Sequence, residues 1–259
     1  MVRRRIGLAA AALAASVGLV PSPARAESPE ETFLRGNRAY DAGRHDEAVQ
    51  AYEELIERGV IDPRVEFNLG NTEFRRGRIG SAILHFQRAR RLAPTDPEIR
   101  ANLAFARAAA GDSRESSAAL PAPLAWIRRV VDGVGPARLA WTVLVLAWFA
   151  WAVLAWGLAE PGRFRALHGW ILAGLVAALA VTSTAWYVTH RQLVTMQVAV
   201  VLSSQAAVLA GPGENNAQLA TVPEGLELEV WGKRPDWVNV RLPNSVSGWI
   251  AEDAVGLVP

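Results

Sequence analysis

The stretch that decides the N-terminal fold is residues 69–89, LGNTEFRRGRIGSAILHFQRA. It repeats the pattern of residues 35–55, RGNRAYDAGRHDEAVQAYEEL, at a distance of 34 residues. Small, amide and aromatic residues recur in register: Gly36 with Gly70, Asn37 with Asn71, Tyr40 with Phe74, Gly43 with Gly77, Ala48 with Ala82, and Tyr52 with Phe86. Because glycine and alanine recur where two helices would cross, the repeat predicts two consecutive helix pairs.

The limits of these helices can also be predicted. Pro63 suits the first turn of a helix, and Thr95 or Asp96 could cap a last helix that opens at Pro97. We expect that last helix to cover the open end of the repeat, and the aromatic residues Tyr52 and Phe86 to fill the gap to the next helix. Both the period and the residues resemble tetratricopeptide repeats, so residues 27–110 are predicted to form a tetratricopeptide repeat (TPR) domain, an α-helical solenoid.

Residues 1–26 have the pattern of an export signal peptide. Three arginines, Arg3 to Arg5, precede a 15-residue apolar run, and Ala24 and Ala26 form a small-x-small cleavage site. The run is shorter than the ~20 residues that a membrane-spanning helix needs. We therefore expect the chain after residue 26 to be delivered outside the cytoplasm, although the sequence does not tell whether the signal is cleaved.

Two later segments are long enough to cross a membrane as helices. Residues 139–159 and 167–189 contain no Asp, Glu, Lys or Arg, and only seven residues separate them. They follow a linker and juxtamembrane segment, residues 111–138, whose part from Trp126 to Arg138 is expected either at the membrane surface or in an ordinary loop. A transmembrane hairpin at 139–189 returns the chain to its starting side, so we expect both flanking domains in one compartment.

The C-terminal segment, residues 195–259, changes to alternating β-branched and polar residues punctuated by Gly and Pro. This pattern predicts a small all-β barrel. Its motifs resemble a bacterial SH3-like domain: Gly211-Pro212-Gly213, Leu228-Glu229-Val230, Trp237, Val240-Arg241-Leu242 and Gly248-Trp249-Ile250.

The order of signal, tetratricopeptides, hairpin and SH3-like domain resembles the Bat E type of the bacterial aerotolerance (Bat) operon proteins. The segments 82–89 and 102–107 are similar to that family's. The resemblance implies a protein of the bacterial cytoplasmic (inner) membrane. Together with the export signal and the hairpin, this leads us to expect both soluble domains in the periplasm. It also implies work beside membrane proteins with von Willebrand A-type domains and a MoxR-type ATPase.

Composition argues against several function classes. The chain has no cysteine, and its four histidines lack metal-ligand spacing, so no catalytic residue, metal or cofactor is predicted. Residues 27–115 contain 14 Arg against 16 acidic residues, and residues 195–259 contain 3 basic against 7 acidic residues. Because neither domain is basic, no nucleic-acid partner is expected.

Binding surfaces are what the sequence does predict. The first helix of each tetratricopeptide pair lines a concave face, where an extended peptide could bind to Asn37, Tyr40, Asp41, Asn71, Phe74 and Arg75. For Tyr40 and Phe74 the alternative, which the pattern favours, is packing in the core. In the SH3-like domain the candidate ligand-binding residues are Trp231, Trp237 and Trp249.

Two functions remain open from the sequence. The first is a membrane-anchored periplasmic adaptor or scaffold that mediates protein–protein interactions. The alternative is a cell-wall module whose SH3-like domain binds peptidoglycan peptides and whose TPR domain recruits a wall enzyme. The sequence does not name the partners, the SH3-like domain's ligand or the oligomeric state.

Overall fold

A computed structural model describes residues 27–111, 125–159, 165–191, 196–242 and 245–258. The predicted signal peptide, part of the linker and most of the turn between the two apolar segments lie outside the described residues. The N-terminal part consists of five helices: α1 Pro29–Asp41, α2 His45–Glu57, α3 Pro63–Arg75, α4 Ile79–Leu92 and α5 Pro97–Ala109.

Helices α1, α3 and α5 each begin at a capping residue that is directly followed by proline. Ser28 and Glu31 form a reciprocal capping box at α1. Asp62 caps α3 and Asp96 caps α5, each directly before a proline that needs no hydrogen-bond acceptor for its nitrogen. Of the two predicted caps for the last helix, Asp96 is therefore the residue that acts, accepting from the amides of Glu98 and Ile99 at 2.8 and 3.2 Å.

Each helix pair closes over a glycine. A Cβ at Gly36 would lie 2.6 Å from the ring of Tyr52, and one at Gly70 would lie 2.8 Å from the ring of Phe86. Both aromatic rings are buried. Each ring packs over the glycine of its own pair, because only glycine leaves room for a ring there. Tyr52 also shares a buried cluster with Leu69 of α3, and Phe86 shares one with Leu103 of α5, in agreement with the prediction that these rings fill the gap to the next helix.

Two long apolar helices follow, α6 (Ala125–Ala159) and α7 (Arg165–His190). α6 is broken at Gly135, which has a φ of 74° and is directly followed by Pro136. The stretches long and apolar enough to cross a membrane are Val134–Ala159 and Leu167–His190, with mean hydropathies of 2.0 and 1.8. They include the predicted spans 139–159 and 167–189. The juxtamembrane residues from 125 onward are helical, so the loop interpretation of this part is wrong.

The C-terminal part is a seven-stranded sheet in the order β3-β2-β6-β5-β4-β1-β7, with every pairing antiparallel. Its strands are β1 Val198–Val201, β2 Gln205–Leu209, β3 Gln218–Pro223, β4 Glu227–Arg234, β5 Trp237–Arg241, β6 Ser247–Ala251 and β7 Val255–Val258. Alternate residues face inward, as in Val238 and Val240 of β5, and build a closed apolar core. A bulge between Val230 and Gly232 turns β4 at Trp231.

The sheet and the helices are packed on each other. Leu84 and Ile83 of α4 share one buried cluster with Val200 of β1 and Val258 of β7. Leu84 lies so close to the backbone of Gly256 that a Cβ at that glycine would clash with it. This contact buries a face of α4 that would be open in a domain made of the helices alone. The open end of the repeat, which the last helix was expected to cover, is therefore covered by α5 and the sheet together.

Polar contacts fix the orientation of this interface. Arg107 of α5 binds Glu227 of β4 through two parallel hydrogen bonds of 2.8 and 2.9 Å, and both side chains are only about one seventh exposed (15% and 13%). Such a bidentate pair has a narrow range of geometries. Two further contacts are the Gly80 amide donating to Glu224 (2.7 Å) and Arg88 donating to the Leu257 carbonyl (3.0 Å).

Both ends of the apolar hairpin lie beside the end of α4. Arg91 donates a hydrogen bond to the carbonyl of Met196, just before β1. A Cβ at Gly135, at the break in α6, would lie 2.8 Å from the methyl group of Thr95. We call the α1–α5 helices and the sheet together the head. The head is therefore held close to the hairpin on both of its sides.

Gly70→Leu is expected to open the second helix pair. The added side chain would overlap the Phe86 ring, and overpacking of this kind costs about 1–3 kcal/mol. Hydrogen exchange of the full chain in detergent should show a matching loss of protection in α3 and α4. Ala101→Leu, on the exposed side of α5, is the matched control and should leave protection unchanged. Equal hydrogen-exchange protection in both variants would mean that the close contact between Gly70 and Phe86 is not needed for the packing of α3 on α4.

Leu84→Asp is expected to separate the helices from the sheet, because it places a carboxylate in an apolar interface. Spin labels on cysteines at the exposed Gln50 and Gln218 should give one narrow distance in the otherwise cysteine-free chain and a broad distribution in the variant. Leu34→Asp, an exposed position on α1, serves as the control. A narrow distribution that survives Leu84→Asp would contradict the interface.

Candidate peptide-binding groove and aromatic face

The concave side of the helices contains a polar groove of about 280 Å³. It lies between α1 and α3 and is lined by Asn37, Tyr40, Asp41, Tyr52, Asn68 and Asn71. The lining side chains carry amide, hydroxyl and carboxylate groups, and none of them is a cation. A groove of this composition suits the backbone amides of an extended chain better than a terminal carboxylate.

The groove is organised by a ladder of asparagine pairs. The Asn68 amide donates to the Asn37 oxygen at 2.9 Å, and the Asn102 amide donates to the Asn71 oxygen at 2.9 Å. Asn68 and Asn102 are not among the groove residues predicted above. The period would identify them as a pair of equivalent positions, because they are themselves 34 residues apart.

Tyr52 connects the ladder to the core. Its hydroxyl donates to the Asn37 oxygen at 2.8 Å while its ring is buried against Gly36. The Asn37 oxygen therefore accepts two hydrogen bonds, and its amide NH₂ is the part suited to a ligand carbonyl. Burial raises the pKa of Tyr52 to about 12. Phe86 takes the same place in the second repeat without a hydroxyl.

The other predicted groove residues divide into two groups. Tyr40 and the exposed Asp41 line the groove, with the Tyr40 ring 5.7 Å from that of His45. Phe74 instead packs on Phe105 at a centroid distance of 5.3 Å. Arg75 is exposed and does not line the groove. The structure thus brings together Asn37, Tyr40, Asp41 and Asn71, but not Phe74 or Arg75.

The three tryptophans of the sheet lie on its outer surface, which we call the Trp–Arg face (Trp231, Trp237, Trp249, Arg234 and Arg241). Trp231 is 59% exposed, and the Arg241 guanidinium lies 4.9 Å from its ring centroid. The Arg234 guanidinium lies 5.6 Å from the centroid of Trp249. Trp237 is half-buried and pairs with Arg234 across β4 and β5. Both distances are within the range of cation–π contacts.

Neither surface contains an arrangement typical of catalysis. His85 is paired with Glu66 at 2.8 Å, and both side chains are largely buried between α3 and α4. In the part of the chain that the structure describes, no three His, Cys, Asp or Glu side chains are grouped closely enough to hold a metal ion. The groove and the Trp–Arg face therefore remain the candidate functional surfaces, and both are suited to binding.

Tyr52→Phe tests the buried phenol. The pKa of Tyr52 in the folded chain is about 12, above the value near 10 of an unfolded chain. The folded state therefore favours the neutral phenol, and this contribution to the free energy of unfolding is complete below pH ~10. That contribution is lost as the pH rises toward 12. We expect the variant to lose about 0.5–1.5 kcal/mol at neutral pH with its hydrogen bond to Asn37.

The titration itself is measured by phenolate absorbance. The difference between the parent and Tyr52→Phe curves isolates this residue among the three tyrosines, and it should rise near pH 12. A difference curve that rises near pH 10 would show that Tyr52 is accessible to solvent.

Comparison with known proteins supports the helical part of this description. Residues 33–97 match the family model described as tetratricopeptide repeat, a range that runs from α1 to the start of α5. A search of curated proteins found no match to the chain. By sequence, the region that contains Asn37, Asn68 and Asn71 is therefore similar to tetratricopeptide repeats, which supports protein–protein interaction as its role.

Proposed function

We propose that this protein is a non-catalytic adaptor, anchored by its apolar hairpin in the bacterial inner membrane. Its head binds an extended segment of a partner protein in the groove along the asparagine ladder. The observation that carries the proposal is the ladder itself. Two equivalent asparagine pairs lie one at each repeat interface, and three of their four residues line the open groove. An extended peptide carries backbone carbonyl and N–H groups along its length, which asparagine amides can bind.

The proposed setting is a membrane complex of the Bat aerotolerance type. The order of helical repeat, two apolar helices and C-terminal β-sheet is consistent with the Bat E layout, in which the sheet would be the SH3-like domain. The partners would then be membrane proteins with von Willebrand A-type domains, working with a MoxR-type ATPase. A shallow groove formed by two repeats is expected to bind its partner with modest affinity. Because both proteins would lie in the same membrane, the effective concentration of the partner near the groove would be high, and binding would be stronger.

The proposed location of the head is the periplasm, reached by means of the predicted signal peptide. The packing of α4 on β1 and β7 supports one part of this proposal. If both apolar helices cross the membrane, residues before α6 and after α7 emerge on the same side, where these elements can meet; a single crossing would keep them apart. Which side that is follows from the export signal and not from the packing.

The Trp–Arg face favours a second candidate, peptidoglycan binding by an SH3-like domain. Exposed aromatic rings bind sugars and stiff peptides by stacking. Against this candidate, guanidinium groups already lie over the rings of Trp231 and Trp249. We therefore rank the adaptor function first.

The adaptor function is tested by co-purification from gently solubilised membranes. We expect Asn37→Ala and Asn71→Ala each to lower the retained amount of a von Willebrand A-type membrane protein roughly five- to tenfold. This is the effect on affinity expected when one hydrogen bond to the partner is lost. Asn215→Ala makes the same change at an exposed loop position and should have no effect. Unchanged retention in both groove variants, with hydrogen exchange confirming their fold, would contradict the groove as the binding site.

A further inference from the structure

The strong cations and the tryptophans of the C-terminal part are concentrated in one region. Residues 195–259 contain three basic residues and three tryptophans. All six lie on β4, β5 or β6: Trp231, Lys233, Arg234, Trp237, Arg241 and Trp249. In a segment with more than twice as many acidic as basic residues, this grouping gives one region of the surface a composition unlike the rest.

This region adjoins the end of the second apolar helix. A cleft of about 330 Å³ is bounded by Trp231 and Lys233 of β4 on one side and by Arg191 and Met196 on the other. Arg191 directly follows His190, the last residue of the candidate span Leu167–His190. If that helix crosses a bilayer, the Arg191 side of the cleft lies at the level of the lipid headgroups, and Trp231 lies across the cleft from it.

The charges at the cleft favour an anion. Two cations, Arg191 and Lys233, and one carboxylate, Glu229, line the cleft, and Arg241 adds a further cation over the Trp231 ring. Glu252 forms an ion pair with Lys233, and Glu229 lies opposite Arg241 in the β4–β5 register. Arg191 is exposed at the helix end, so a phosphate at the level of the proposed headgroups can reach it.

We propose that the Trp231 edge of the sheet, together with Arg191, binds anionic phospholipid headgroups of the bilayer that holds the hairpin. This inference rests on the proposed membrane anchoring. Tryptophan is enriched at the headgroup level because its ring is apolar and its N–H is polar. Arginine binds phosphate with two parallel donors, and cations close to an anionic leaflet are attracted to it. The combination fits a lipid surface better than a neutral sugar.

Headgroup binding at this edge would orient the head. The hairpin holds the head close to the bilayer at Thr95 and Met196, and a third contact at Trp231 would stop it from tilting. Since helices and sheet share one core, the asparagine groove would then be presented to partners at a fixed angle to the membrane.

The test uses a fluorophore close to the cleft. A single cysteine replaces the exposed Gln197, which lines the cleft, and carries an environment-sensitive dye. The full chain is reconstituted in nanodiscs of phosphatidylcholine alone or with added phosphatidylglycerol. We expect a blue shift and a rise in emission only in the discs that contain phosphatidylglycerol. Arg241→Ala should raise the phosphatidylglycerol fraction needed for half the response about fivefold, the effect of one cation near an anionic surface.

Three further variants distinguish the contributions of the Trp231 ring and of the positive charge to the fluorescence response. Trp231→Ala should also weaken the response, whereas Arg241→Lys, which keeps the charge, should largely preserve it. Leu219→Ala removes an exposed apolar side chain from β3, at the far edge of the sheet, and should change nothing. Equal loss in Arg241→Ala and Arg241→Lys would overturn the electrostatic basis of the proposal.

The remaining outcomes are distinguishable from one another. A chain that does not enter the discs would contradict the membrane anchoring itself. A chain that enters them but gives identical emission in neutral and anionic discs would overturn the lipid site and leave the anchoring intact. A response to purified cell-wall sacculi, and none to phosphatidylglycerol, would replace the lipid by a wall ligand.

Discussion

The packing of α4 against the backbone of β7 is the contact on which the rest of the structure depends. Leu84 can reach this position because Gly256 has no side chain, and Gly80 and Gly225 likewise leave room for close approach of the two parts. The contact joins segments that are separated in the chain by both apolar helices. It therefore requires the hairpin to return the chain to its starting side, and it turns two small domains into one head with a shared core. A two-repeat helical array has little core of its own, so this shared burial supplies stability that neither part would have alone.

The same contact decides which surfaces are available for function. α5 takes part in both regions: Asn102 belongs to the asparagine ladder, and Arg107, five residues later, binds Glu227 of the sheet. The sheet covers α4, while the groove between α1 and α3 stays open. Partner binding in the groove and membrane contact at the Trp231 edge of the sheet would thus be carried by one body, so that each affects the position of the other without any change of fold. This arrangement fits an adaptor, whose task is to hold a partner at a defined place.

Local patterns in the sequence predicted the helices, the apolar hairpin and a C-terminal β structure. Gly36 and Asn37 recur 34 residues later, Tyr52 has Phe86 as its counterpart, and proline after Asp62 and Asp96 marks two helix starts. The interface between the helices and the sheet could not be predicted, because Leu84 and Gly256 are each consistent with an isolated domain and their contact spans more than half the chain. The groove was predicted in part. Asn37 and Asn71 follow from the period, but the packing of Phe74 on Phe105 depends on how α5 lies against α3.

The central claim, a single head on one side of a membrane hairpin, is tested most directly by cysteine accessibility, since the chain has no native cysteine. Single cysteines are placed at Gln50, at Gln218 and at Arg163 in the turn between the apolar helices, and intact spheroplasts are treated with a membrane-impermeant maleimide. The account predicts labelling at Gln50 and Gln218 and protection at Arg163, with all three labelled after the membrane is permeabilised. Labelling at Arg163 in intact cells, or protection of only one of the two head positions, would contradict it.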